Sequence, residues 1–540
     1  MCTFLNANIR KPWRSPEAET TTSLLERAVG LWPERVFIDF ENQSCTFRDF
    51  DREAARLANG LRAWGVKPAD TVCVLLDTSL LGALFWFAIN KIGAVYVPLN
   101  TALRGELLAH QLKDAAARVI IAELEYGRRA LELLTASEGA SIFVRRPAKD
   151  VDTSALHDIE ELRCALDAGI ETDVRPTDLA MVIYTSGTTG PSKGCMVSHR
   201  YACSVSMTMI GALQMTSEDV HWSPLPLFHI YGTCGVLLSA LRVGARVALF
   251  GRFSVSQFWP QVETTRATVV HLVGSMIALI EGAALSDTES RCIGQLRVAC
   301  GIPFAKASID LWRNRFGVGW AGNAGYGLTE VGRVTQVSIH EPARADTCGK
   351  PFNCEVRLFN GDGEECEPGE AGEIVLRPLH PGMMFDGYWR RPEETLQTLR
   401  GLWFHTGDIG RFDSDGNLIF VDRKKDYMRR GGENISSYEV EEVFRGHPAV
   451  LDVAAYGVPS SLLEDDVKIS VMLKPGAAIT ELALCRWSIE RLPYFCVPRY
   501  VEFLGEFPRS ATGKVLKYVL KERGVAAAWD RSSSDLRVTR

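Results

Sequence analysis

The stretch Tyr184-Thr185-Ser186-Gly187-Thr188-Thr189-Gly190-Pro191-Ser192-Lys193-Gly194 follows an apolar run at 179–183 and precedes a helix-like segment that starts at Ser198. Strand, hydroxyl-rich loop and helix in that order make a phosphate-binding arrangement. Glycine lets successive backbone N–H groups turn toward an anion, the Thr and Ser hydroxyls donate further hydrogen bonds, and Lys193 adds a charge-assisted contact. A polyphosphate suits that set of donors. The Walker pattern would require Gly in place of Ser192 and Ser or Thr in place of Gly194, so an ordinary P-loop is disfavoured. A flexible surface loop is the plainer reading of such a composition, and the buried strand in front of it argues against that reading.

Outward from the loop, β-rich apolar runs at 71–76, 118–122, 267–273 and 296–299 alternate with helix-like segments between about residues 20 and 340. That rhythm predicts α/β architecture with largely parallel sheets. The apolar stretch 80–97 is broken by Asn90 and Lys91 and reads as a core helix feeding a strand, since a bilayer span needs about 20 unbroken apolar residues. Between 347 and 421 short strands are separated by turn signals, Asn360-Gly361-Asp362-Gly363, Pro368-Gly369-Glu370 and Asp415-Gly416-Asn417. This predicts a small β-rich subdomain over about 341–424. The charged cluster Asp422-Arg423-Lys424-Lys425-Asp426, then Gly431-Gly432 and an amphipathic helix over 437–444, mark a boundary. The expected organisation is therefore α/β. A large N-terminal domain, 1–424, is built of α/β subdomains plus the β-rich one, and a small α+β C-terminal domain spans 425–540. The tail from Arg531, with three consecutive serines, is expected to be disordered.

Composition narrows the function classes. The 540 residues are too many for one core. At 46% hydrophobic and 23% charged the chain is a folded one, and 60 Lys plus Arg against 66 Asp plus Glu leave a net charge of -6. No global field draws in nucleic acid or an anionic membrane, so a small-molecule site is favoured. The 14 cysteines occur singly, without a CxxC pair, which fits reduced thiols in the cytoplasm rather than disulfides or a zinc ribbon. No apolar segment follows Arg10, Lys11 and Arg14, so no secretory signal is expected. Cys195, His199 and Cys203 would share one helix face, but three ligands without a fourth read as packing.

Further motifs then occur in series: Pro226-Leu227-Phe228-His229, Gly325-Tyr326-Gly327-Leu328-Thr329-Glu330, His405-Thr406-Gly407-Asp408, the charged cluster, Gly431-Gly432-Glu433-Asn434, and Pro508-Arg509-Ser510-Ala511-Thr512-Gly513-Lys514. From about Thr20 to Lys521 the chain resembles the adenylate-forming superfamily of acyl-CoA ligases, peptide-synthetase adenylation domains and beetle luciferases. Pro381-Gly382-Met383-Met384-Phe385 and the segment 416–440 look most similar to crotonobetaine/carnitine-CoA ligases and their relatives.

The resemblance implies an ATP-dependent carboxylate–CoA ligase that makes an acyl-adenylate, releases pyrophosphate, and then transfers the acyl group to coenzyme A with release of AMP. It implies ATP contacts from Thr185, Ser186, Gly187, Thr188, Thr189, Lys193, Tyr326, Asp408 and Arg423. Glu330 would hold Mg2+, Thr329 would bond the α-phosphate, and Lys514 would be the mobile catalytic lysine. His229, Gly301 and Gly325 would line or gate the acyl pocket, Lys425 would be the hinge, and Gly431 and Gly432 would line the coenzyme A tunnel. Taken singly each has a plainer reading: Glu330 a solvated helix-start carboxylate, Tyr326 and His229 core residues, Asp408 a turn residue, Lys514 a surface lysine. Two departures from the family pattern, Cys300-Gly301-Ile302-Pro303 and Arg333, fall near the acyl pocket. A surface ion pair is the plainer reading of Arg333, and contact with a second anionic or polar group on the acid is the other. Delivery of the acyl-adenylate to a carrier protein, luciferase-type oxygenation and a noncatalytic binding protein are the alternative functions. The last is the least favoured, because Glu330 and Lys514 are both present.

Overall fold

The computed structural model describes residues 19–134, 140–145, 156–167, 170, 172–185, 191–302, 304, 306–345, 347–423, 427–460, 464–508, 515 and 517–538. Two seven-stranded sheets dominate it. One runs Trp320–Gly322, Val298–Ile302, Val269–Val273, Val220–Ser223, Arg246–Leu249, Val36–Phe40 and Gln43–Thr46. The other runs His157–Asp158, Ser141–Arg145, Val119–Glu123, Thr71–Leu75, Val95–Pro98, Leu179–Thr185 and Lys193–Ser198. In both, every neighbouring pair is parallel except the last, which is an antiparallel hairpin. Parallel strands buried on both faces read as continuous apolar runs, which is why these segments were visible in the sequence.

The helix Leu80–Lys91 is buried from Gly82 to Asn90. A helix apolar all round has to lie inside, and here it feeds the strand Val95–Pro98. Its Asn90 is fully buried and satisfied. It accepts from the Thr21 hydroxyl at 3.0 Å and donates to the carbonyls of Ala180 at 2.7 Å and Ala94 at 3.3 Å. Thr21 also meets His199 Nδ1 at 3.0 Å, and burial pushes the pKa of that imidazole down to about 4, so the ring is neutral. The strand that precedes the phosphate loop is thereby tied to two helices through one amide.

Three expectations change. No helix follows directly: Leu179–Thr185 pairs antiparallel with a second strand, Lys193–Ser198, and the helix His199–Leu213 starts only afterwards. The second strand was hidden in the motif, but its Cys195, Val197 and Ser198 are buried, and Cys195 bridges to Tyr388. The tail is ordered where described. Trp529–Asp530 pairs with Tyr500–Phe503, Asp530 meets Arg499 at 3.3 Å, and Leu536 and Val538 pack on the neighbouring core. Long-range pairing outweighs the serine-rich local composition there. Cys195 lies on a strand, away from the helix that carries His199 and Cys203, and no metal-binding group of His, Cys, Asp and Glu occurs among the described residues.

Residues 354–423 form an antiparallel five-stranded sheet that includes Trp403–Phe412 and Leu418–Arg423. Beyond it, the hairpin Tyr427–Arg430 and Glu433–Ser436 leads into a four-stranded sheet with its own helices and core.

Replacing Asn90 by Ala leaves the Ala180 carbonyl and other buried partners short of a hydrogen bond, at about 1–3 kcal/mol for each unsatisfied group. Urea denaturation of Asn90→Ala is therefore expected to show a stability loss of about 2–4 kcal/mol. An unchanged midpoint would remove this role.

Candidate active site

Thr185 closes one strand of the hairpin and Lys193 opens the next. Ser186, Gly187, Thr188 and Thr189 lie outside the described residues. The Thr185 hydroxyl is 3.7 Å from Cys195 Sγ, and Lys193 Nζ stands 5.0 Å from the centre of the Tyr388 ring. The Tyr388 hydroxyl donates to Glu330 Oε1 at 2.9 Å, while the Glu330 carbonyl accepts the Phe385 N–H at 2.7 Å. Burial raises the pKa of Glu330, opposed by its hydrogen bonds and by the Lys193 cation. Glu330 is thus no solvated helix-start residue; it sits in a turn between Gly327–Leu328 and Gly332–Arg333. Thr185, Lys193 and Glu330 meet, and Tyr388 joins them. Sequence reasoning missed Tyr388, whose only local sign is an aromatic beside Gly387, easily read as core.

The turn that carries Glu330 begins at Gly325, whose φ is +147° and where a Cβ would lie 2.2 Å from the Thr335 carbonyl oxygen. Only glycine fits. Tyr326 follows, buried. Its N–H donates to Thr335 Oγ1 at 2.8 Å and its hydroxyl to Asp408 Oδ2 at 2.6 Å. Asp408 belongs to the strand Trp403–Phe412, not to a turn, and faces Arg423 in register. The Arg423 side chain lies outside the described residues, as do Lys425 and Lys514. The Thr329 carbonyl accepts from the Tyr201 hydroxyl at 2.7 Å.

On the other side, His229 Nε2 lies 3.1 Å from Glu433 Oε2, which also accepts from Asn100 Nδ2 at 3.3 Å. Gly431 and Gly432 have φ of +61° and +80°, and both donate their N–H groups to Glu464. A Cβ on Gly432 would lie 3.1 Å from the Val273 side chain. Val273 ends its strand opposite Ile302, one residue after Gly301, where a Cβ would come within 2.7 Å of Ile277. His229, Gly301, Gly432 and Glu433 therefore border one region at the C-terminal ends of parallel strands, where α/β sheets hold their ligands. Glu433 and Asn100 escaped the sequence analysis as partners because they are 333 residues apart.

Arg333 is not in a surface ion pair. It is 9% exposed and donates to the Ala324 carbonyl at 2.8 Å. Gly332, with φ of +58°, turns the chain inward just before it.

The residues 25–389 match the AMP-binding enzyme family and 439–514 the AMP-binding enzyme C-terminal domain. The chain is 34% identical to a feruloyl-CoA synthase of Amycolatopsis over 92% of its length and 99% of that protein. It is 28% identical to a crotonobetaine/carnitine–CoA ligase of Salmonella arizonae over 91% and 97%. Among solved structures it superimposes on a double mutant of the o-succinylbenzoate CoA synthetase of Bacillus subtilis, bound with its product analogue, with a TM-score of 0.80 at 26% identity, covering 94% and 99% of the two chains. The same synthetase in complex with AMP gives 0.65 at 26% identity, covering 93% and 98%. The chain belongs to the AMP-binding enzyme family, in its adenylate-forming acyl-CoA ligase branch.

One contact at the seam titrates near neutrality. Glu439, in the helix Ser437–Arg445, accepts the Ser192 N–H, and desolvation pushes its pKa from 4.5 up to about 7. The contribution of this acid to docking is full below its ordinary value and is lost as pH rises through about 7. Energy transfer between labels on residues 19–423 and 427–538 is expected to report looser docking above neutrality, and a flat profile for Glu439→Gln. A variant that keeps the wild-type profile contradicts the assignment.

Proposed function

We propose how this chain, an ATP-dependent carboxylate–CoA ligase that works through an acyl-adenylate, divides the reaction among its residues. A carboxylate oxygen attacks the α-phosphorus of ATP and diphosphate leaves; a thiolate then attacks the acyl carbon and AMP leaves. The first step brings two anions together, so positive charge and aligned donors at the phosphates carry most of the catalysis. Thr185 to Thr189 and Lys193 cradle the phosphates. Asp408 receives the ribose hydroxyls, as a carboxylate with two acceptor oxygens can, while Tyr326 lies against the adenine and Arg423 contacts the ribose or phosphate. Thr329 bonds the α-phosphate.

Glu330 suits Mg2+ as a half-buried oxygen donor whose upward pKa shift on burial is opposed by the nearby Lys193 cation. A bound magnesium ion supplies positive charge to the phosphate oxygens. Lys514 bridges the attacking carboxylate and the α-phosphate as a point charge.

The observation that carries the two-step reading is the loop Gly431-Gly432-Glu433 of the small unit lying against Val273 and His229. Its glycines allow coenzyme A to pass close to the backbone, with His229 as the gate. The better fit to the product-analogue complex than to the AMP complex supports reading this as the thioester-forming arrangement. Rotation of 425–540 about Lys425 then exchanges this loop for Lys514. The relatives act on a feruloyl group, on crotonobetaine or carnitine, and on oxalate, so the acid here is an organic acid of that breadth. No described helix is long and apolar enough to cross a membrane, and every described cysteine is a free thiol, which supports work in the cytoplasm.

Lys514→Ala is expected to abolish acid-dependent ATP–diphosphate exchange while retaining much of the thioester step from supplied acyl-adenylate, followed by mass spectrometry. Equal loss of both steps contradicts the division of labour.

A further inference from the structure

Arg333 is a buried guanidinium with no carboxylate partner among the described residues. One edge donates to the Ala324 carbonyl, and the other meets only the Met209 thioether, a weak acceptor. The titratable groups within its electrostatic reach are Cys300, Tyr231 and His271, and burial holds the thiol and the phenol neutral by pushing their pKa values up. These two belong to a polar row. Tyr231 lies 3.3 Å from Cys300 Sγ and 3.0 Å from His271 Nδ1, and His271 Nε2 lies 3.0 Å from His221 Nδ1. His271 and Cys300 stand opposite each other on adjacent parallel strands. Desolvation holds both imidazoles in the neutral form. Among the described residues the cluster carries one positive charge and no carboxylate bonded to it.

An uncompensated buried charge is costly, and an apolar residue of similar size would pack there without the penalty. The charge is also placed where a ligand goes. Tyr231 is two residues past His229, Cys300 one residue before Gly301, and the Arg333 stem crosses Gly325, where a Cβ would lie 2.9 Å from its Cδ. The guanidinium thus stands between the wall of the acyl pocket and the turn that carries Tyr326 and Glu330.

We propose that Arg333 receives a second anionic group of the substrate, so that the acid activated here is a dicarboxylic acid, with Tyr231 as the neighbouring hydrogen-bond donor. This rests on the ligase reading. The activated carboxylate faces the α-phosphate while the second, unreacted one pairs with the guanidinium, a geometry in which Arg binds in bidentate fashion and Lys does not.

The test is ATP–diphosphate exchange with matched pairs of acids, each monocarboxylate beside the dicarboxylate of the same skeleton, benzoate with the phthalates and hexanoate with adipate. In the wild-type enzyme kcat/KM is expected to favour the dicarboxylate in at least one pair by about tenfold or more, because a site built for a polar group rejects the analogue that lacks it. Arg333→Leu is expected to lower that ratio by at least about tenfold, mainly through KM, with Arg333→Lys in between. Preference for the monocarboxylate in every pair overturns the proposal without any variant, as does a ratio unchanged in Arg333→Leu. Exchange with monocarboxylates alone leaves the ligase reading standing, whereas no exchange with any acid removes both.

Discussion

Repulsion between two anions is the constraint around which the molecule is organised. A carboxylate has to approach a polyphosphate, on a chain whose own net charge is -6. The approach is possible only where the local field is reversed, and low dielectric magnifies whatever charge is placed there. Lys193, Tyr388 and Glu330 are brought together in one corner of the fold. There an aromatic hydroxyl bonds a half-buried carboxylate and a lysine cation stands close by.

The scaffold answers the same constraint. Two parallel sheets put their C-terminal strand ends beside one another, and loops at such ends are free to carry polar groups because the strands beneath are packed by apolar side chains. Glycine then sets how closely backbone can approach. Gly325 lets the Tyr326 turn lie on Thr335, and Gly432 lets the small unit reach Val273. The Glu433 pair with His229 and Asn100 joins the two units by polar contacts, and Ala102 and Leu107 pack on the core of the smaller one.

Much of this was legible in the chain. The parallel strands showed as apolar runs, and the site motifs as contiguous stretches whose order is informative even when each member is ordinary. What escaped was of three kinds. The strand Lys193–Ser198 was masked by the loop in front of it. The ordered tail depends on Arg499 and Asp530, partners far apart in sequence. Tyr388 takes its place from contacts across the fold that no local pattern marks, and Glu433, though inside a motif, gave no sign of its partners His229 and Asn100. Arg333 shows the same limit with the opposite sign: as an isolated arginine it reads as surface, and in the fold it is buried just after the turn at Gly332.

Diphosphate release decides whether these residues do what their arrangement implies. Purified protein supplied with ATP, magnesium and a broad set of organic acids should release diphosphate only when a suitable acid is present, and release AMP at a sustained rate only once coenzyme A is added. Absence of diphosphate with every acid would contradict the assignment of this cleft to acid activation.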